Sequence, residues 1–334
     1  MKIAVDGMGG DHAPREIVAG AILAAREFET KIVLVGDEAL LRSELEKHKD
    51  IPSSITIHHA GSFVRMDESA AIAIRKKKDA SVSICADLVR DGQADAMVTA
   101  GHTGAAVVAC TLKMRLIEGV ERPGIGILFP TLGTPTLLID AGANIDTKPS
   151  HLFQYAVMGD VYFRYILRKN QPSVGILNVG EEETKGTEYI KEAHRLLNKC
   201  RLHFIGNVEG RDIFNGKVDI VVCDGFVGNV VLKVSESIAS VVGKLLKQHL
   251  KRSPITMLGA LLAKPAFDAL RQEVDYTEYG GAPLLGCNGT CIISHGSSDA
   301  RAIKSAIRVA TQFVRYEINQ HIREAIAATR EDVK

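Results

Sequence analysis

The stretch "KIAVDGMGGDHAPREIVAGAILAAREF", residues 2–28, introduces a pattern that recurs along the chain. It begins with an apolar run typical of a buried strand, continues through a polar turn rich in glycine, and ends with apolar residues at helical spacing. Pro14 suits the first turn of that helix. Strand, polar loop and helix in this order form the unit from which a parallel sheet covered by helices is built.

The same unit is repeated to the end of the chain. Further strands are predicted at 31–36, 55–60, 95–100, 124–129, 136–141, 173–180 and 219–225. The runs at 124–129 and 136–141 are too close for a helical crossover, so we predict that a hairpin interrupts the parallel order there. The fold class is therefore α/β, with a mainly parallel sheet in a three-layer sandwich. We predict a single α/β body over 1–334, divided by a central cleft.

Composition excludes several classes of protein. The 334 residues include 41 basic and 40 acidic side chains, so no overall charge favours a nucleic acid, and a charged partner would need a local patch. No Cys-x-x-Cys pair occurs among the six cysteines, which is typical of reduced, buried thiols in a cytosolic protein. Cys287, Cys291 and His295 lack a second ligand pair, so we expect no metal site.

Targeting signals are not apparent in the sequence. The chain opens directly on a strand, so we expect no signal peptide. No apolar run reaches the roughly 18 residues that a spanning helix requires, which predicts a soluble or surface-bound protein.

Five polar loops follow predicted strands, where ligands bind in open α/β sheets. They are residues 6–11, 101–104, 141–144, 178–186 and 224–229. Glycine permits close backbone approach, and a helix that begins just after such a loop directs free N–H groups at an anion. The loop "AGHTGA" fits phosphate best. The spacing of neither a dinucleotide fingerprint nor a P-loop is present, so we expect no nucleotide and no other cofactor.

Individual side chains in these loops admit two interpretations. Lys185 follows three glutamates and is either part of a solvated loop or a ligand for an anion. Asp224 and Asn229 flank the start of a long helix and could be caps. His295 comes at a strand end before a helix, for which Ser297 or Ser298 is a plausible N-cap. The alternative is that His295 acts as a general acid or contacts phosphate.

A second unusual stretch is "KLLKQHLKRSPITMLGALLAKPAFDALRQ", residues 244–272, within a predicted protruding helical segment over 235–272. Apolar residues at spacings of three and four beside basic ones describe an amphipathic interfacial helix. The alternative is an ordinary core or dimer helix. The basic residues also suit an acidic partner. The candidate contact residues are Lys251, Arg252, Leu258, Leu261, Leu262 and Phe267.

Seven segments, in order along the chain, resemble the signatures of the PlsX family, the bacterial phosphate acyltransferases of phospholipid synthesis. The segments are "VDGMGGDHAP", "TAGHTGA", "IDAGAN", "NVGEEETKG", "GNVEGRD", "DIVVCDGFVGNVVLK" and "YGGAPLLGCNGTCIISHGSSD". The resemblance runs from residue 1 to beyond residue 300. This chain has His102 where the family usually has asparagine, which argues against an essential role for that imidazole.

The resemblance implies transfer of a long acyl chain from acyl carrier protein to inorganic phosphate. The product would be an acyl phosphate, used next by a glycerol-3-phosphate acyltransferase. It also implies a fold similar to phosphotransacetylase and to isocitrate and isopropylmalate dehydrogenases, a homodimer, and a cytoplasmic protein associated peripherally with the inner face of the cell membrane.

The same resemblance, together with the loops, gives a set of candidate site residues. We expect Gly101, Thr103, Gly104 and Lys185 to bind phosphate. Lys185, Asp224, Asn229 and His295 are the candidate catalytic residues, and Asp6, Gly9, Asp11 and Asn144 are expected to line the cleft.

Two other enzymes and one scaffold would suit parts of this pattern. A dehydrogenase of the isopropylmalate type would need an aspartate cluster for metal and a dinucleotide site, and neither arrangement is evident. A phosphotransacetylase that uses acyl coenzyme A would have similar loops. A membrane-surface scaffold would use the 254–270 segment but would not need five polar loops at strand ends.

Overall fold

The computed structural model describes residues 1–267 and 280–332, with the side chains of 330–332 left aside. Its strands form one sheet of 11, in the order β3-β2-β1-β4-β11-β10-β5-β6-β9-β7-β8. The strands are β1 (Lys2–Asp6), β2 (Lys31–Gly36), β3 (Ile55–His59), β4 (Ala96–Thr99), β5 (Gly124–Phe129), β6 (Thr136–Ile139), β7 (Ser173–Leu177), β8 (His203–Val208), β9 (Ile220–Val222), β10 (Ala282–Leu285) and β11 (Thr290–Ile293).

Helices cover both faces of this sheet. They are α1 (Arg15–Phe28), α2 (Glu38–Leu45), α3 (Ala70–Lys76), α4 (Ser81–Arg90), α5 (Thr103–Lys113), α6 (Pro149–Tyr165), α7 (Glu188–Asn198), α8 (Asp212–Asn215), α9 (Gly225–Leu250), α10 (Pro254–Leu262), α11 (Ala300–Arg315) and α12 (Ile318–Asp332). Alternate residues of β1 face opposite cores, because Ile3 packs with α1 and α11 whereas Ala4 packs with α4 and α5. The predicted mainly parallel α/β fold is confirmed.

The direction of the strands changes in the middle of the sheet. Strands β3, β2, β1, β4 and β11 are parallel to one another, and so are β6, β9, β7 and β8. Between the two sets, β10 is antiparallel to both neighbours, and β5 pairs with β6 in the predicted hairpin. The two parallel sets therefore run in opposite directions, and their carboxyl ends lie at opposite ends of the strands.

Helix α9 starts on the sheet and then leaves it. Gly225, Gly228 and Leu232 are its buried residues, and a Cβ on Gly228 would lie 1.9 Å from the carbonyl oxygen of Asp140, so only glycine permits this close approach. The second half of α9 exposes a series of large apolar side chains, and α10 buries none of its residues. The predicted 235–272 segment thus corresponds to this part of α9 and to α10, while 268–272 lie outside the described residues.

Helix α9 has a long window of high mean hydropathy, although no continuous apolar run of that length occurs in it. An 18-residue window of α9 is apolar enough, by length and composition, to cross a membrane. The sequence interrupts this window with Ser235, Ser237 and Ser240, so it is not a continuous apolar run. Only 11% of that window is buried within the structure.

Candidate functional site

The five polar loops form two groups at opposite ends of the strands. The loops after β1 and β4 lie at the carboxyl ends of one parallel set, together with residues 294–299 after β11. The loops after β6, β7 and β9 lie at the other end, because those strands run in the opposite direction. Strands β4 and β7 are six places apart. At about 4.8 Å per place they are separated by about 29 Å.

This separation places the loops expected to share one site at two ends of the sheet, so the shared site stays a prediction. Lys185 is not brought to the 101–104 loop, and Asn144, Asp224 and Asn229 are not brought to His295. The physical reason is the β5–β6 hairpin, which reverses the strand direction. We call the set around β1, β4 and β11 the first group, and the set around β6, β7 and β9 the second group.

The three loops of the first group are in direct contact. A Cβ on Gly9 would lie 2.7 Å from the backbone nitrogen of Gly101, so the two glycines let the loops after β1 and β4 touch. The backbone N–H of Asp11 donates to the carbonyl of Gly296 at 2.8 Å, which joins the loop after β11. Asp11 itself is exposed. The contacts fix the relative positions of the three loops.

The carboxylate of Asp6 links the loops after β1 and β4 through the hydroxyl of Thr99. The Thr99 hydroxyl donates to Asp6 Oδ2 at 2.8 Å and accepts the N–H of Gly101 at 3.1 Å. Burial raises the pKa of the Asp6 carboxyl, while hydrogen bonds from Ser81 and Thr99 oppose that shift. A small pocket is lined by Asp6, Gly9, Phe63, Val64, Ser81, Val82, Gly101, His102 and Ala105.

The amino terminus of α5 opens at this pocket. His102 is its N-cap, and Nδ1 of the imidazole accepts the N–H of Ala105 at 3.4 Å. This is the role that asparagine commonly fills, so the departure at position 102 keeps the cap. In the described part of the chain, the N–H groups of Thr103 and Gly104 have no acceptor. Free N–H groups at a helix start, together with the helix dipole, are suited to an anion.

His295 lies in the third loop of this group. Its Nδ1 accepts the N–H of Ser297 at 3.2 Å, and the Ser297 hydroxyl lies 2.8 Å away, so Nε2 carries the proton of a neutral ring. That nitrogen faces Glu236 Oε1 of α9 at 3.8 Å. Oε1 is buried and has no hydrogen-bond partner among residues 1–267 and 280–332, whereas Oε2 accepts from Lys233 at 3.0 Å.

The cap of the helix after His295 was predicted wrongly. The N-cap of α11 is Asp299, whose carboxylate accepts the N–H groups of Arg301 and Ala302 at 3.0 and 2.9 Å. Ser298 is buried and shares a hydrogen bond with Ser294, and Ser297 pairs with the imidazole. The two serines are engaged before the helix starts, and the carboxylate of Asp299 takes the cap.

Asp140 organises the second group. Its buried carboxylate accepts the N–H groups of Gly142, Ala143 and Asn144 at 3.1, 2.9 and 2.8 Å. Burial raises the pKa of Asp140, and these backbone hydrogen bonds oppose the shift. The side-chain amide of Asn144 donates to the carbonyl of Pro123 at 2.6 Å and also contacts Asp140. The donors of Asn144 therefore hold the loop together.

The remaining predicted residues of the second group differ in their surroundings. Asp224 caps α9 by accepting the N–H of Val227 at 2.9 Å, and it also accepts the hydroxyl of Tyr189 at 2.8 Å. This supports its interpretation as a cap. Asn229 and Lys185 are exposed, and within the described residues neither side chain has a hydrogen-bond or ionic partner. Of the three glutamates that precede Lys185, Glu181 pairs with Lys217 at 2.8 Å.

Sequence reasoning missed four residues of these networks. Thr99 and Asp140 both end buried strands, a position that could have marked them as loop organisers. Tyr189 and Glu236 lie inside helices and carry no such signal. Their partners, Asp224 and His295, come from distant parts of the chain and are known only from packing.

The cysteines are mainly core residues. All six cysteines are free, and all except Cys200 are buried. Burial raises the pKa of Cys85, Cys223 and Cys287, which suits inert core thiols. In the part of the chain that the structure covers, no group of three or more His, Cys, Asp or Glu residues could hold a metal ion.

Comparison with known proteins identifies close relatives. A family model described as "Fatty acid synthesis protein" matches residues 1–321. A phosphate acyltransferase from Geobacter sulfurreducens is 49% identical over 324 residues, covering 97% of this chain and 94% of that protein. A phosphate acyltransferase from Pelotomaculum thermopropionicum is 49% identical over 326 residues, covering 98% and 95%.

Solved structures support the fold alone, because their sequences are distant. A phosphotransacetylase from Streptococcus pyogenes aligns with a TM-score of 0.64 at 16% identity, over 96% of this chain and 94% of its own. A 4-hydroxythreonine-4-phosphate dehydrogenase from Klebsiella pneumoniae aligns with a TM-score of 0.54 at 12% identity, over 94% and 99%. The expected likeness to phosphotransacetylase is confirmed.

Proposed function

We propose that this chain, which belongs to the family of fatty acid synthesis proteins, transfers a long-chain acyl group from acyl carrier protein to inorganic phosphate. The chain is an acyltransferase enzyme, as its curated relatives are. The name of these relatives, phosphate acyltransferase, supports phosphate as the acceptor. The single structural observation that supports it best is the pair of free N–H groups of Thr103 and Gly104 at the α5 terminus.

The reaction needs positioning more than activation. Inorganic phosphate near neutral pH is substantially a dianion and is already nucleophilic, so the enzyme must hold it against the thioester carbonyl. A phosphate oxygen forms a bond to the carbonyl carbon, the carbon–sulfur bond breaks, and the carrier leaves as a thiolate. The free N–H groups of Thr103 and Gly104 hold the phosphate in this scheme.

His295 supplies a donor beside that phosphate. Its loop contacts the loop of Gly9 and Gly10, and its Nε2 proton is directed into the region between the first group and α9. The proton is suited to stabilise the charge that develops on the carbonyl oxygen of the tetrahedral intermediate. Ser297 holds the imidazole from the opposite side through Nδ1, while Glu236 faces the Nε2 side of the ring.

The protruding segment supports a proposed peripheral contact with the inner face of the cell membrane. Leu258, Leu261 and Leu262 on α10 are 59%, 66% and 76% exposed. Lys251 and Arg252 are exposed beside them and suit anionic headgroups, while Phe267 is half-buried. The proposal also includes two partners. The protein forms a homodimer, and it delivers the acyl phosphate to a glycerol-3-phosphate acyltransferase.

A direct assay tests the proposed activity. The protein is incubated with long-chain acyl carrier protein and phosphate, without metal or nucleotide, and both the free carrier thiol and hydroxylamine-trappable acyl phosphate are measured. Both should appear only when phosphate is present. Acyl coenzyme A replaces the carrier in a second arm, and faster transfer from it would contradict the carrier as donor. No product from either donor, with vesicle binding intact, would favour a scaffold.

A further inference from the structure

We infer that the surface around Arg75, Lys76 and Lys78 docks the acidic carrier protein that brings the acyl chain to the first group. We call these three residues the basic rim. The inference rests on the proposed function and adds to it a location for the donor. It is carried by the position of the rim, by its unpaired charge and by the exposed apolar side chains beside it.

The basic rim borders the proposed phosphate position. It lies at the carboxyl end of α3, which packs on α5, and a Cβ on Gly104 would lie 3.3 Å from the Cβ of Ala70 at the start of α3. Phe63 and Ser81, which come before and after this helix, both line the pocket at the α5 terminus. Lys78 comes three residues before Ser81, so a protein docked on the rim would lie beside this pocket, into which its acyl thioester could extend.

Charge on this surface is only partly neutralised. Lys77 is used structurally, because its ammonium donates to the carbonyl of Phe63 at 2.9 Å and to Glu68 at 2.7 Å. Arg65 is paired with Asp67. The three side chains of the basic rim are exposed and have no acidic partner among residues 1–267 and 280–332. They present a local positive field that the near-neutral chain as a whole does not have.

Exposed apolar side chains accompany the rim. Phe63, Met66 and Ile72 are 42%, 57% and 55% exposed. Aromatic, methionine and arginine side chains are the types enriched at protein interfaces. Acyl carrier protein is strongly acidic, so the rim complements its charge and would steer its approach. An anionic membrane would also be attracted, but the three apolar residues do not form the long continuous stripe that α9 and α10 present.

Charge reversal of the rim tests the inference. The variant carries Arg75→Glu, Lys76→Glu and Lys78→Glu. Its control carries Lys31→Glu, Lys199→Glu and Arg201→Glu, which make the same change in net charge at exposed positions away from the first group. Binding of long-chain acyl carrier protein is measured by calorimetry at low salt, and transfer to phosphate is measured with the carrier and with a small acyl thioester of N-acetylcysteamine.

The rim variant should bind the carrier at least about tenfold more weakly than the wild type. Its affinity should also change much less with salt concentration. Its rate with the small thioester and its KM for phosphate should stay at the wild-type values, which also shows that it folds. Wild-type affinity for the carrier in the rim variant would overturn the inference. So would loss of anionic vesicle binding without loss of carrier binding, which would make the rim a membrane contact.

The calorimetry separates this inference from the proposed function. If the wild-type chain binds the carrier through the rim but transfers no acyl group, the proposed reaction fails and the docking surface stands. If transfer occurs and a Lys244→Glu, Lys247→Glu variant on α9 loses carrier binding while the rim variant does not, the carrier docks on the helical segment and the inference fails.

Discussion

Glu236 Oε1 lies 3.8 Å from His295 Nε2, and this contact joins the two halves of the sheet at the first group. Glu236 begins the fourth turn of α9, which starts at the second group. At 1.5 Å per residue, the 11 residues from Gly225 to Glu236 carry the helix about 16 Å, roughly the length of the strands it crosses. The long helix thereby brings an acidic side chain to the opposite end of the sheet.

We predict that Glu236→Gln lowers kcat/KM about fivefold, because removal of one partly buried carboxylate beside the imidazole costs about 1 kcal/mol. The carboxylate orients His295 in the transition state, so kcat should fall more than the KM for phosphate rises. The pH profile should also change, which a purely structural role would not produce.

Lys233→Met is the matched control, since the Lys233 ammonium donates a hydrogen bond to Oε2, the other carboxylate oxygen of Glu236. It removes an ion pair from the same turn of α9 and leaves Oε1 facing the imidazole. The kcat of this variant should stay near the wild-type value. An equal loss in both variants would mean that the ion pair on α9, rather than the contact with His295, supports activity.

Gly9→Ala should abolish most activity and cost about 1–3 kcal/mol of unfolding free energy, because overpacking strains a tight contact. The new Cβ would lie 2.6 Å from Asp6 Oδ2 and 2.7 Å from the nitrogen of Gly101. Gly133→Ala is the control, since a Cβ there meets nothing within 4 Å. Urea unfolding and the phosphate-dependent rate measure both effects. A fully active Gly9→Ala enzyme would show that the two loops need not touch.

Asp6→Asn should change how stability depends on pH. Burial raises the folded-state pKa of Asp6 above the ordinary value of an aspartate. Its contribution to stability is therefore fully present below the unfolded pKa and is lost as the pH rises through the folded pKa. Replacement by asparagine removes this loss.

The free energy of unfolding of Asp6→Asn, relative to the wild type, should increase from pH 4 towards neutral pH. Urea titrations at several pH values measure it, with Asp146→Asn as a control for loss of one charge at an exposed position. A difference that is independent of pH would mean that the carboxyl of Asp6 has the same pKa in both states.

Leu258→Glu combined with Leu262→Glu should release the protein from anionic vesicles, because both side chains lie on the exposed face of α10. Vesicle flotation measures binding, and light scattering measures the oligomeric state. The homodimer should persist in the variant. Loss of the dimer with retention of vesicle binding would make this helix a subunit contact and contradict the membrane proposal.

Much of the fold follows from local sequence patterns. The strand at 2–6, the helix after Pro14 and the hairpin between 124–129 and 136–141 all appear as predicted. Each depends on periodicity or on the length of a connection, which neighbouring residues determine. The cap at Asp224 belongs to the same class.

The candidate site could be predicted only in part, because its geometry depends on strand order. The polar loops were correctly found at strand ends, but their division into two groups follows from the direction of each strand after the hairpin. Sequence separation gives no indication that Glu236 meets His295, 59 residues later, whereas Lys185 and Gly101 lie far apart. Those relationships arise from the packing of a long helix and an 11-stranded sheet.

The most direct test of the central claim is the position of phosphate itself. A crystal structure of the enzyme grown with phosphate should place the anion within about 3 Å of the backbone nitrogens of Thr103 and Gly104. Binding should be lost in the Gly9→Ala variant and kept in Gly133→Ala. Phosphate held at Lys185, with none at the amino terminus of α5, would contradict the account and return the acceptor site to the second group.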